Sequence, residues 1–456
     1  MKKKVVILGG GESGVGAALL AKAKGYEVFL SDKGVLKDNY ANTLKEHGVP
    51  FESGKHTEDK ILGVPLVIKS PGIPDNAPLV EKLKSEGADI ISEIEFAAGF
   101  SKAKFIAITG SNGKTTTTLL TYHLLKKLGL NVGLAGNIGE SLAKQVIDDS
   151  YDYYVLELSS FQLDGMYKFR AHIAVLLNIT PDHLDRYDYN FQNYVDSKFR
   201  IIQNMRSTDF FVANVDDPVI REELTKREVV PFQLSASLKK KVLNGAYLSD
   251  DSIMISVDNH INRLFSLAVD QLPLRGKHNV LNTMAAVLVA TVLGQNPERF
   301  QEAMSDFKNA AHRLELAGEV NAIRFINDSK ATNVDSVYYA LDSFKEPIVW
   351  IAGGIDKGND YSQIDKLVKE RVKALVCLGT DNSKLHNAFD DKIAIIQDSH
   401  SMDEAVDRAY ALAKPGDVVL LSPACASFDL FKNYEDRGDQ FKKAVSNLIQ
   451  RAGIQR

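Results

Sequence analysis

A glycine-rich stretch that ends in a lysine and a threonine is the most informative chemical pattern in the sequence. Residues 109–115 read Thr-Gly-Ser-Asn-Gly-Lys-Thr, between a predicted buried strand and a predicted helix. In such a loop the backbone amides bind phosphate oxygens, Lys114 offsets the β- and γ-phosphate charge, and the Thr115 hydroxyl faces Mg²⁺. Ile108 stands where the usual pattern has its first glycine. We still predict a triphosphate site here, because the flanking strand and helix make a chance match improbable.

A second glycine-rich loop lies near the amino terminus. The pattern G-x-G-x-x-G occupies residues 9–14, between a predicted strand, Val5 to Leu8, and a predicted helix. Free N–H groups at a helix start favour phosphate, and Asp32 stands where a dinucleotide site places its ribose-binding acid. Taken alone, the motif fits NAD, another nucleotide diphosphate or a tight turn, and it does not choose among them.

Further polar groups follow the next predicted strands. Glu157 ends one of them, and its carboxylate suits Mg²⁺, the alternative being a surface carboxylate. His183 lies in the polar loop 178–186, for which we favour a functional role. Lys198 stands on the following helix, where residue type and position alone predict an exposed lysine. Asn282, one helical turn after His278, is expected to share its face.

Three polar strand ends recur in the last part of the chain. They are the segments 327–333, 353–358 and 422–428, each after a short apolar run. Because the carboxyl ends of parallel strands meet at one edge of a sheet, we predict a crevice there that binds a small charged ligand.

The alternation of short apolar runs with helical patterns predicts an α/β protein in three domains. We expect a Rossmann-like domain over residues 1–96, a central phosphate-loop ATPase-like α/β domain over 97–309, and a second Rossmann-like α/β domain over 310–456. Residues 238–267 are expected to form a small antiparallel excursion, with turns at Asn244-Gly245 and Asp258-Asn259.

Composition excludes several classes of protein. The 456 residues include 55 Lys and Arg and 59 Asp and Glu, which gives a net charge of −4. This charge gives no reason to expect nucleic acid or anionic membrane as a partner. The two cysteines cannot form a disulfide framework, and the longest apolar stretches fall short of a membrane span. We therefore expect a cytoplasmic protein.

The order of these motifs resembles that of the Mur ligases, the ATP-dependent amide-forming enzymes that assemble the peptide stem of the peptidoglycan precursor. Segments 327–333 and 422–429 are most similar to the D-glutamate-adding members, and the Asp-Asn-Pro-Arg sequence of the diaminopimelate-adding members is absent. The shared motifs are Thr109 to Thr116, Gly136-Asn137-Ile138-Gly139, Leu156 to Gln162, the His183 loop, Gly276 to Asn279 and His312-Arg313.

The resemblance implies a reaction as well as a fold. D-glutamate would be joined to UDP-N-acetylmuramoyl-L-alanine through an acyl phosphate, with release of ADP and phosphate. The implied cofactors are ATP and Mg²⁺, with a carbamylated Lys198 as support for a second Mg²⁺. We expect the enzyme to be a monomer that serves peptidoglycan synthesis, and hence cell shape and division.

The resemblance also assigns site residues. It makes Lys114, Glu157, His183 and Lys198 catalytic, and Thr115, Glu157, His183 and Lys198 the metal-binding residues. ATP would be bound by Gly110, Ser111, Asn112, Gly113, Lys114, Thr115, Thr116, Asn282, Arg313, Asp328 and Lys330. The UDP-linked substrate would be bound by Ser13, Gly14, Asp32, Asn137 and His183, and D-glutamate by Thr332, Lys357, Ser422 and Phe428.

Three alternatives are weaker. A folylpolyglutamate synthase-like enzyme has no need of a UDP-binding domain in the first 95 residues. An NAD-dependent oxidoreductase built on residues 9–14 leaves the Lys114 loop unexplained. A non-catalytic nucleotide-binding regulator gives no reason for Glu157, His183 and Lys198.

Overall fold

The protein is built on three β-sheets flanked by helices. The computed structural model describes residues 3–257, 265–274, 276–356 and 358–454. The chain forms two compact units, Met1–Pro273 with Val280–Phe307, and Leu274–Asn279 with Lys308–Arg456. The predicted α/β class is confirmed, with one sheet in each of the three predicted segments; the exact segment boundaries stay predictions.

The first sheet is parallel and has the order β3-β2-β1-β4-β5. Its central strand is apolar from Val5 to Leu8 and buried on both faces, as expected of a parallel strand covered by helices. The strands are β1 Lys4–Leu8, β2 Glu27–Asp32, β3 Phe51–Ser53, β4 Leu66–Lys69 and β5 Asp89–Ile91. The helices are α1 Glu12–Ala23, α2 Asp38–Glu46, α3 Glu58–Ile61, α4 Pro78–Ser85 and α5 Glu93–Ala98.

The second sheet has the order β14-β13-β12-β11-β10-β9-β6-β8-β7. Its strand β13 pairs antiparallel with both β12 and β14, and the other pairings are parallel. The strands are β6 Lys104–Thr109, β7 Val132–Gly136, β8 Tyr153–Glu157, β9 Ile173–Leu176, β10 Phe210–Asn214, β11 Phe232–Ser237, β12 Gly245–Ser249, β13 Ser252–Ser256 and β14 Phe265–Ala268. The helices along this part of the chain are α6 Lys114–Lys127, α7 Leu142–Gln145, α8 Ser160–Asp164, α9 Phe191–Phe199, α10 Pro218–Lys226, α11 Lys277–Val292 and α12 Phe300–Met304.

One predicted turn in this sheet is wrong. Gly245 begins β12, which pairs parallel to β11, so Asn244-Gly245 does not join an antiparallel hairpin. Glycine is needed there because a Cβ on Gly245 would stand 1.8 Å from the Ser235 carbonyl oxygen. The antiparallel excursion is confirmed for β12 to β14, and the predicted Asp258-Asn259 turn lies outside the described residues.

The third sheet has the order β15-β16-β20-β17-β18-β19, with only β15 antiparallel. Apolar clusters on both faces cover its central strands. The strands are β15 Glu315–Val320, β16 Ile323–Asn327, β17 Ile348–Gly353, β18 Val372–Leu378, β19 Ile396–Ser399 and β20 Val418–Ala424. The helices are α13 Val334–Asp342, α14 Asp365–Arg371, α15 Ser383–Phe389, α16 Met402–Leu412 and α17 Tyr434–Ile454. Across the described ranges, every helix is too short or too polar to cross a membrane.

Candidate functional site

The phosphate loop connects β6 to α6, and the loop after β9 braces it. Gly113, at the helix N-cap, has φ of 84°, a conformation that favours glycine. The amide of Asn112 donates to Asn178 Oδ1 at 2.7 Å, and Asn178 Nδ2 donates back to the Asn112 carbonyl at 3.0 Å. A Cβ on Gly113 would stand 2.7 Å from Asn282 Oδ1, so Asn282 lies against the loop. Hydrogen bonds and close packing within the protein therefore hold the backbone of this loop.

Two lysines donate to one carbonyl oxygen of this loop. Lys114 Nζ lies 2.7 Å from the Gly110 oxygen, and Lys198 Nζ lies 2.9 Å from the same atom. Lys198 is only 1% exposed, so the expectation of an exposed lysine is wrong. Burial, and then the neighbouring Lys114 charge, lower the pKa of Lys198 well below its usual range. Lys198 is therefore a buried amine with a reduced tendency to carry a proton.

Glu157 ends β8 beside the strand that leads into the phosphate loop. It is 1% exposed, and its Oε1 accepts a 2.8 Å hydrogen bond from Asn137 Nδ2. Its Oε2 is buried without a hydrogen-bond partner in the described part of the chain. An uncompensated buried carboxylate oxygen is costly, and a cation is the usual compensation. Thr115 and Thr116 are also buried, at the start of α6.

His183 lies at the start of a short 3-10 turn after β9. Its backbone has φ of 53°, which is uncommon for a residue other than glycine. Its ring meets the Phe161 ring edge-on at 5.0 Å, and its Nε2 lies 3.6 Å from Asp182 Oδ2. The Arg186 guanidinium lies over the same Phe161 ring. The ring of His183 remains accessible, with 42% of the side chain exposed.

The amino-terminal glycine loop is closely packed. A Cβ on Gly14 would stand 1.9 Å from the Gly9 carbonyl oxygen, so no larger residue fits there. Asp32 accepts hydrogen bonds from the amides of Gly10 at 2.5 Å and Gly34 at 2.7 Å, which fix the end of β2 to the loop. Ser13 is half-buried in the first turn of α1. The structure thus brings Asp32 to the loop, and its contact with a bound nucleotide stays a prediction.

In the second unit, Asp328 and Ser422 meet at the ends of β16 and β20. The Ser422 hydroxyl donates to Asp328 Oδ2 at 2.9 Å, and its carbonyl accepts from Trp350 Nε1 at 2.8 Å. Ser422 is fully buried, so its hydroxyl is not exposed to solvent and instead donates its hydrogen bond to Asp328. Burial raises the pKa of Asp328 to about 7, although the Arg313 charge and the Ser422 hydrogen bond oppose the rise.

The remaining predicted residues of this unit are partly or fully exposed. Arg313 is half-buried, and its Nε atom is buried without a hydrogen-bond partner among the residues that the structure describes. Lys330 lies over the Tyr434 ring at 5.4 Å. Thr332 is exposed, and Phe428 is 68% exposed, an unusual state for a phenylalanine. Both side chains are accessible to a ligand.

His278 belongs to the shared motif Gly276 to Asn279, and Lys357 belongs to the predicted D-glutamate set. The His278 ring lies 5.1 Å from that of Tyr339, and burial lowers the pKa of His278 to about 4, so it is neutral at pH 7. Lys357 lies outside the described residues.

The sequence analysis did not identify a buried cation that joins the three polar strand ends of the second unit. Arg437 is 1% exposed and donates to the carbonyls of Ser329 at 2.8 Å, Cys425 at 3.1 Å and Gly353 at 3.4 Å. These three acceptors are at the three polar strand ends. Burial lowers the pKa of Arg437 to about 10. Its position on α17 among charged residues predicts an exposed arginine, so no sequence pattern indicates this role.

Three protein-family models match this chain, one in each of its three predicted segments. Residues 4–78 match the MurD N-terminal domain, residues 108–290 the Mur ligase middle domain, and residues 312–425 the Mur ligase glutamate ligase domain. Two similar proteins are both named UDP-N-acetylmuramoylalanine–D-glutamate ligase. The one from Christiangramia forsetii is 53% identical, and the one from Bacteroides fragilis is 54% identical. In each case 98% of this chain and 100% of the relative are covered.

Solved structures share the fold at lower identity. A pseudomurein peptide ligase type C from Methanothermus fervidus has a TM-score of 0.62 at 19% identity, covering 98% of this chain and 100% of that one. MurF ligase from Thermotoga maritima in complex with ADP has a TM-score of 0.60 at 18% identity, covering 92% and 95%. Since the family models match most of its length and the relatives exceed half identity, the chain belongs to the Mur ligase family.

Proposed function

We propose that the chain is an ATP-dependent ligase that joins D-glutamate to UDP-N-acetylmuramoyl-L-alanine in peptidoglycan precursor synthesis. The observation that carries this proposal is the arrangement of the phosphate loop. Lys114 and the buried Lys198 both donate a hydrogen bond to the Gly110 carbonyl oxygen of that loop. The relatives that are more than half identical supply the substrates, since each is named for this reaction. Neither the folate-type ligase nor the oxidoreductase fits a chain whose amino-terminal residues match the MurD N-terminal domain.

Each substrate has a set of residues suited to it. The glycine loop with Ser13, Gly14 and Asp32 would bind the UDP group, and Asn137 and His183 the muramoyl-alanine end. Residues 110–116 with Asn282, Arg313, Asp328 and Lys330 would bind ATP. The exposed Thr332 and Phe428, with Lys357, would bind D-glutamate. Ser422, predicted with them, is fully buried and bonded to Asp328, so we propose that it positions Asp328 instead of touching D-glutamate.

The reaction brings two anions together. The carboxylate oxygen of the L-alanine group attacks the γ-phosphorus of ATP, ADP leaves, and an acyl phosphate forms. The neutral amine of D-glutamate then attacks the acyl carbon, inorganic phosphate leaves, and the amine proton passes to solvent or a nearby base. Lys114 offsets the repulsion between phosphate and carboxylate in the first step, and positioning supplies much of the rest.

Magnesium fits the donor set of this site. The unpartnered Glu157 Oε2 is the observation in its favour, because a hard cation favours carboxylate oxygen and would compensate that atom. Thr115, Glu157, His183 and a carbamylated Lys198 would hold the ions. Bound Mg²⁺ would neutralise charge that develops on the phosphate oxygens.

Lys198 has the properties needed for carbamylation. Its amine attacks the carbon of CO₂, one proton is released, and a carbamate with two oxygen donors results. Only a neutral amine reacts, and the lowered pKa of Lys198 favours that form. Incubation of the enzyme with ¹³C-bicarbonate should give a carbamate carbon signal that is absent from Lys198→Met. A wild-type spectrum without this signal would contradict the modification.

The function is tested by phosphate release. The enzyme is assayed with UDP-N-acetylmuramoyl-L-alanine, ATP, Mg²⁺ and one amino acid at a time: D-glutamate, L-glutamate, D-aspartate, L-lysine and meso-diaminopimelate. We expect release with D-glutamate, and omission of the UDP-linked substrate should abolish it. Equal release with another amino acid would overturn the assignment. Monomeric state and a cytoplasmic location remain predictions, the first to be checked by sedimentation equilibrium.

A further inference from the structure

A group of metal-binding residue types lies at one edge of the third sheet, among residues not assigned to the ligase reaction. Cys377 on β18 is paired in register with Asp398 on β19, so both side chains project from the same face of the sheet. His386 lies on α15, which covers that face. One ligand atom from each of the three residues lies within 4.8 Å of the other two.

The histidine of this group is oriented by a second carboxylate. His386 Nδ1 lies 2.8 Å from Asp390 Oδ1, and His386 Nε2 lies 3.1 Å from Asp398 Oδ1. When Nδ1–H donates to Asp390, the lone pair of Nε2 points toward Asp398. A carboxylate that fixes the far nitrogen in this way is a common feature of metal-binding histidines.

The acidic member of the group is also held in place. Asn382 Nδ2 donates to Asp398 Oδ1 at 2.9 Å, leaving that carboxylate with further acceptor capacity. Access is open from one side only: the Cys377 side chain is buried, whereas 32% of His386 and 49% of Asp398 are exposed. An ion reaching the group from solvent would meet the imidazole and the carboxylate first and the sulfur last.

The donor set selects a class of ion. One sulfur, one imidazole nitrogen and one carboxylate oxygen suit zinc and its neighbours among the divalent transition metals, whereas Mg²⁺ and Ca²⁺ favour oxygen donors throughout. Three protein ligands leave a fourth tetrahedral position for water. A protonated His386 would also bridge Asp390 and Asp398 without any ion, and that arrangement is the competing explanation.

We propose that Cys377, His386 and Asp398 bind one divalent transition-metal ion of the zinc class, with Asp390 and Asn382 as positioning residues. On binding, a metal–sulfur bond forms, the S–H bond of Cys377 breaks, and its proton passes to solvent. The ion links β18, β19 and α15, and so stabilises this edge of the sheet by mass action.

Cobalt(II) is the probe, because its bond to a thiolate gives a charge-transfer band in the near ultraviolet. Full-length, metal-free enzyme is titrated with CoCl₂ in excess Mg²⁺, which occupies oxygen-rich sites. We expect the band to saturate at one equivalent and to be displaced by Zn²⁺. It should be absent from Cys377→Ser and retained in Cys425→Ser, the variant of the chain's other cysteine.

Variants of the partly exposed ligands test the site even if substitution of the buried Cys377 prevents folding. His386→Gln and Asp398→Asn should each weaken cobalt affinity at least tenfold, and Asp390→Asn about tenfold. Asp391→Asn, an exposed acid in the same segment, is the matched control and should bind like wild type.

Three results would overturn the proposal: no saturable cobalt binding, binding without the sulfur band, or a band that persists in Cys377→Ser. Should Cys377→Ser fail to fold, wild-type affinity in both His386→Gln and Asp398→Asn would overturn it as well. Ligase activity plays no part in these readouts, so the outcome is separate from that of the proposed function.

Discussion

Lys114 and Lys198 donate to the same carbonyl oxygen, but their surroundings give them different chemistry. Lys114 is only partly buried and lies at the first position of α6, where its charge is available to a bound phosphate. Lys198 is buried beneath the loop, 4.6 Å from the Tyr194 ring, where a permanent charge is expensive. Lys114 is therefore suited to offset phosphate charge as a cation, whereas Lys198 is suited to react as a neutral amine, as its proposed carbamylation requires.

The role of Lys114 is tested by Lys114→Ala. We expect kcat to fall by about 10²–10³, the usual result of losing one preorganised charge-stabilising group. Affinity for UDP-N-acetylmuramoyl-L-alanine, measured by calorimetry, should stay within about twofold. Lys126→Ala, an exposed lysine on the same helix, is the control for altered helix charge. Near-normal turnover in Lys114→Ala would contradict the phosphate-loop assignment.

The buried Ser422 is expected to act through Asp328. Ser422→Ala removes a hydrogen bond to a charged group, so the free energy of unfolding in urea at pH 8 should fall by about 1–3 kcal/mol. In an Asp328→Asn background the same substitution should cost less, because the charge that the hydroxyl stabilises is gone. Equal costs in both backgrounds would show that the two side chains are not coupled.

The elements that carry the site could be largely predicted from local patterns. The helix expected after the Lys114 loop is found at Lys114–Lys127, and the expected strand Val5 to Leu8 lies inside Lys4–Leu8. Burial of polar groups could not be predicted in this way. Lys198 is buried because it meets Gly110, 88 residues earlier, and Gly245 is required by its contact with Ser235 in the neighbouring strand. Such contacts depend on the packed sheet.

A buried carboxylate joins α5 to α7. Glu93 Oε1 accepts hydrogen bonds from the Ala143 amide at 2.6 Å and the Ser141 hydroxyl at 3.1 Å. Burial raises the pKa of Glu93 to about 7 despite these bonds, and the Glu12 charge adds to the rise. The folded state therefore binds the Glu93 proton more tightly than the unfolded state. This contribution to stability is complete below pH 4.5 and is lost as the pH rises to about 7.

Glu93→Gln should remove this pH dependence. The difference in unfolding free energy, variant minus wild type, should rise by about 3 kcal/mol between pH 4.5 and pH 7.5 and stay level above that. Urea denaturation at a series of pH values measures it. Glu81→Gln, an exposed position on α4, should show no such trend. Parallel wild-type and Glu93→Gln profiles would contradict the raised pKa.

The division of the chain into two compact units predicts how the whole molecule unfolds. Each unit encloses its own apolar clusters, so calorimetry should resolve two transitions. Two substitutions assign them. Arg437→Met leaves the carbonyls of Ser329 and Cys425 without their donor and should lower the transition of the second unit. Glu93→Gln at pH 8 should raise the transition of the first.

A ligand should raise the Tm of the unit that binds it. UDP-N-acetylmuramoyl-L-alanine at about 100 times its Kd adds about 2.7 kcal/mol to the unit that holds it. In the first unit, which is about 300 residues long, that amounts to a Tm increase of about 4 °C. If the amino-terminal glycine loop binds the UDP group, the increase appears in the transition that Glu93→Gln moves. The Arg437→Met transition should stay in place. An increase confined to the second unit's transition, the one that Arg437→Met lowers, would place the UDP site in that unit. This result would overturn the assignment of Ser13, Gly14 and Asp32. It would leave the phosphate-loop chemistry intact.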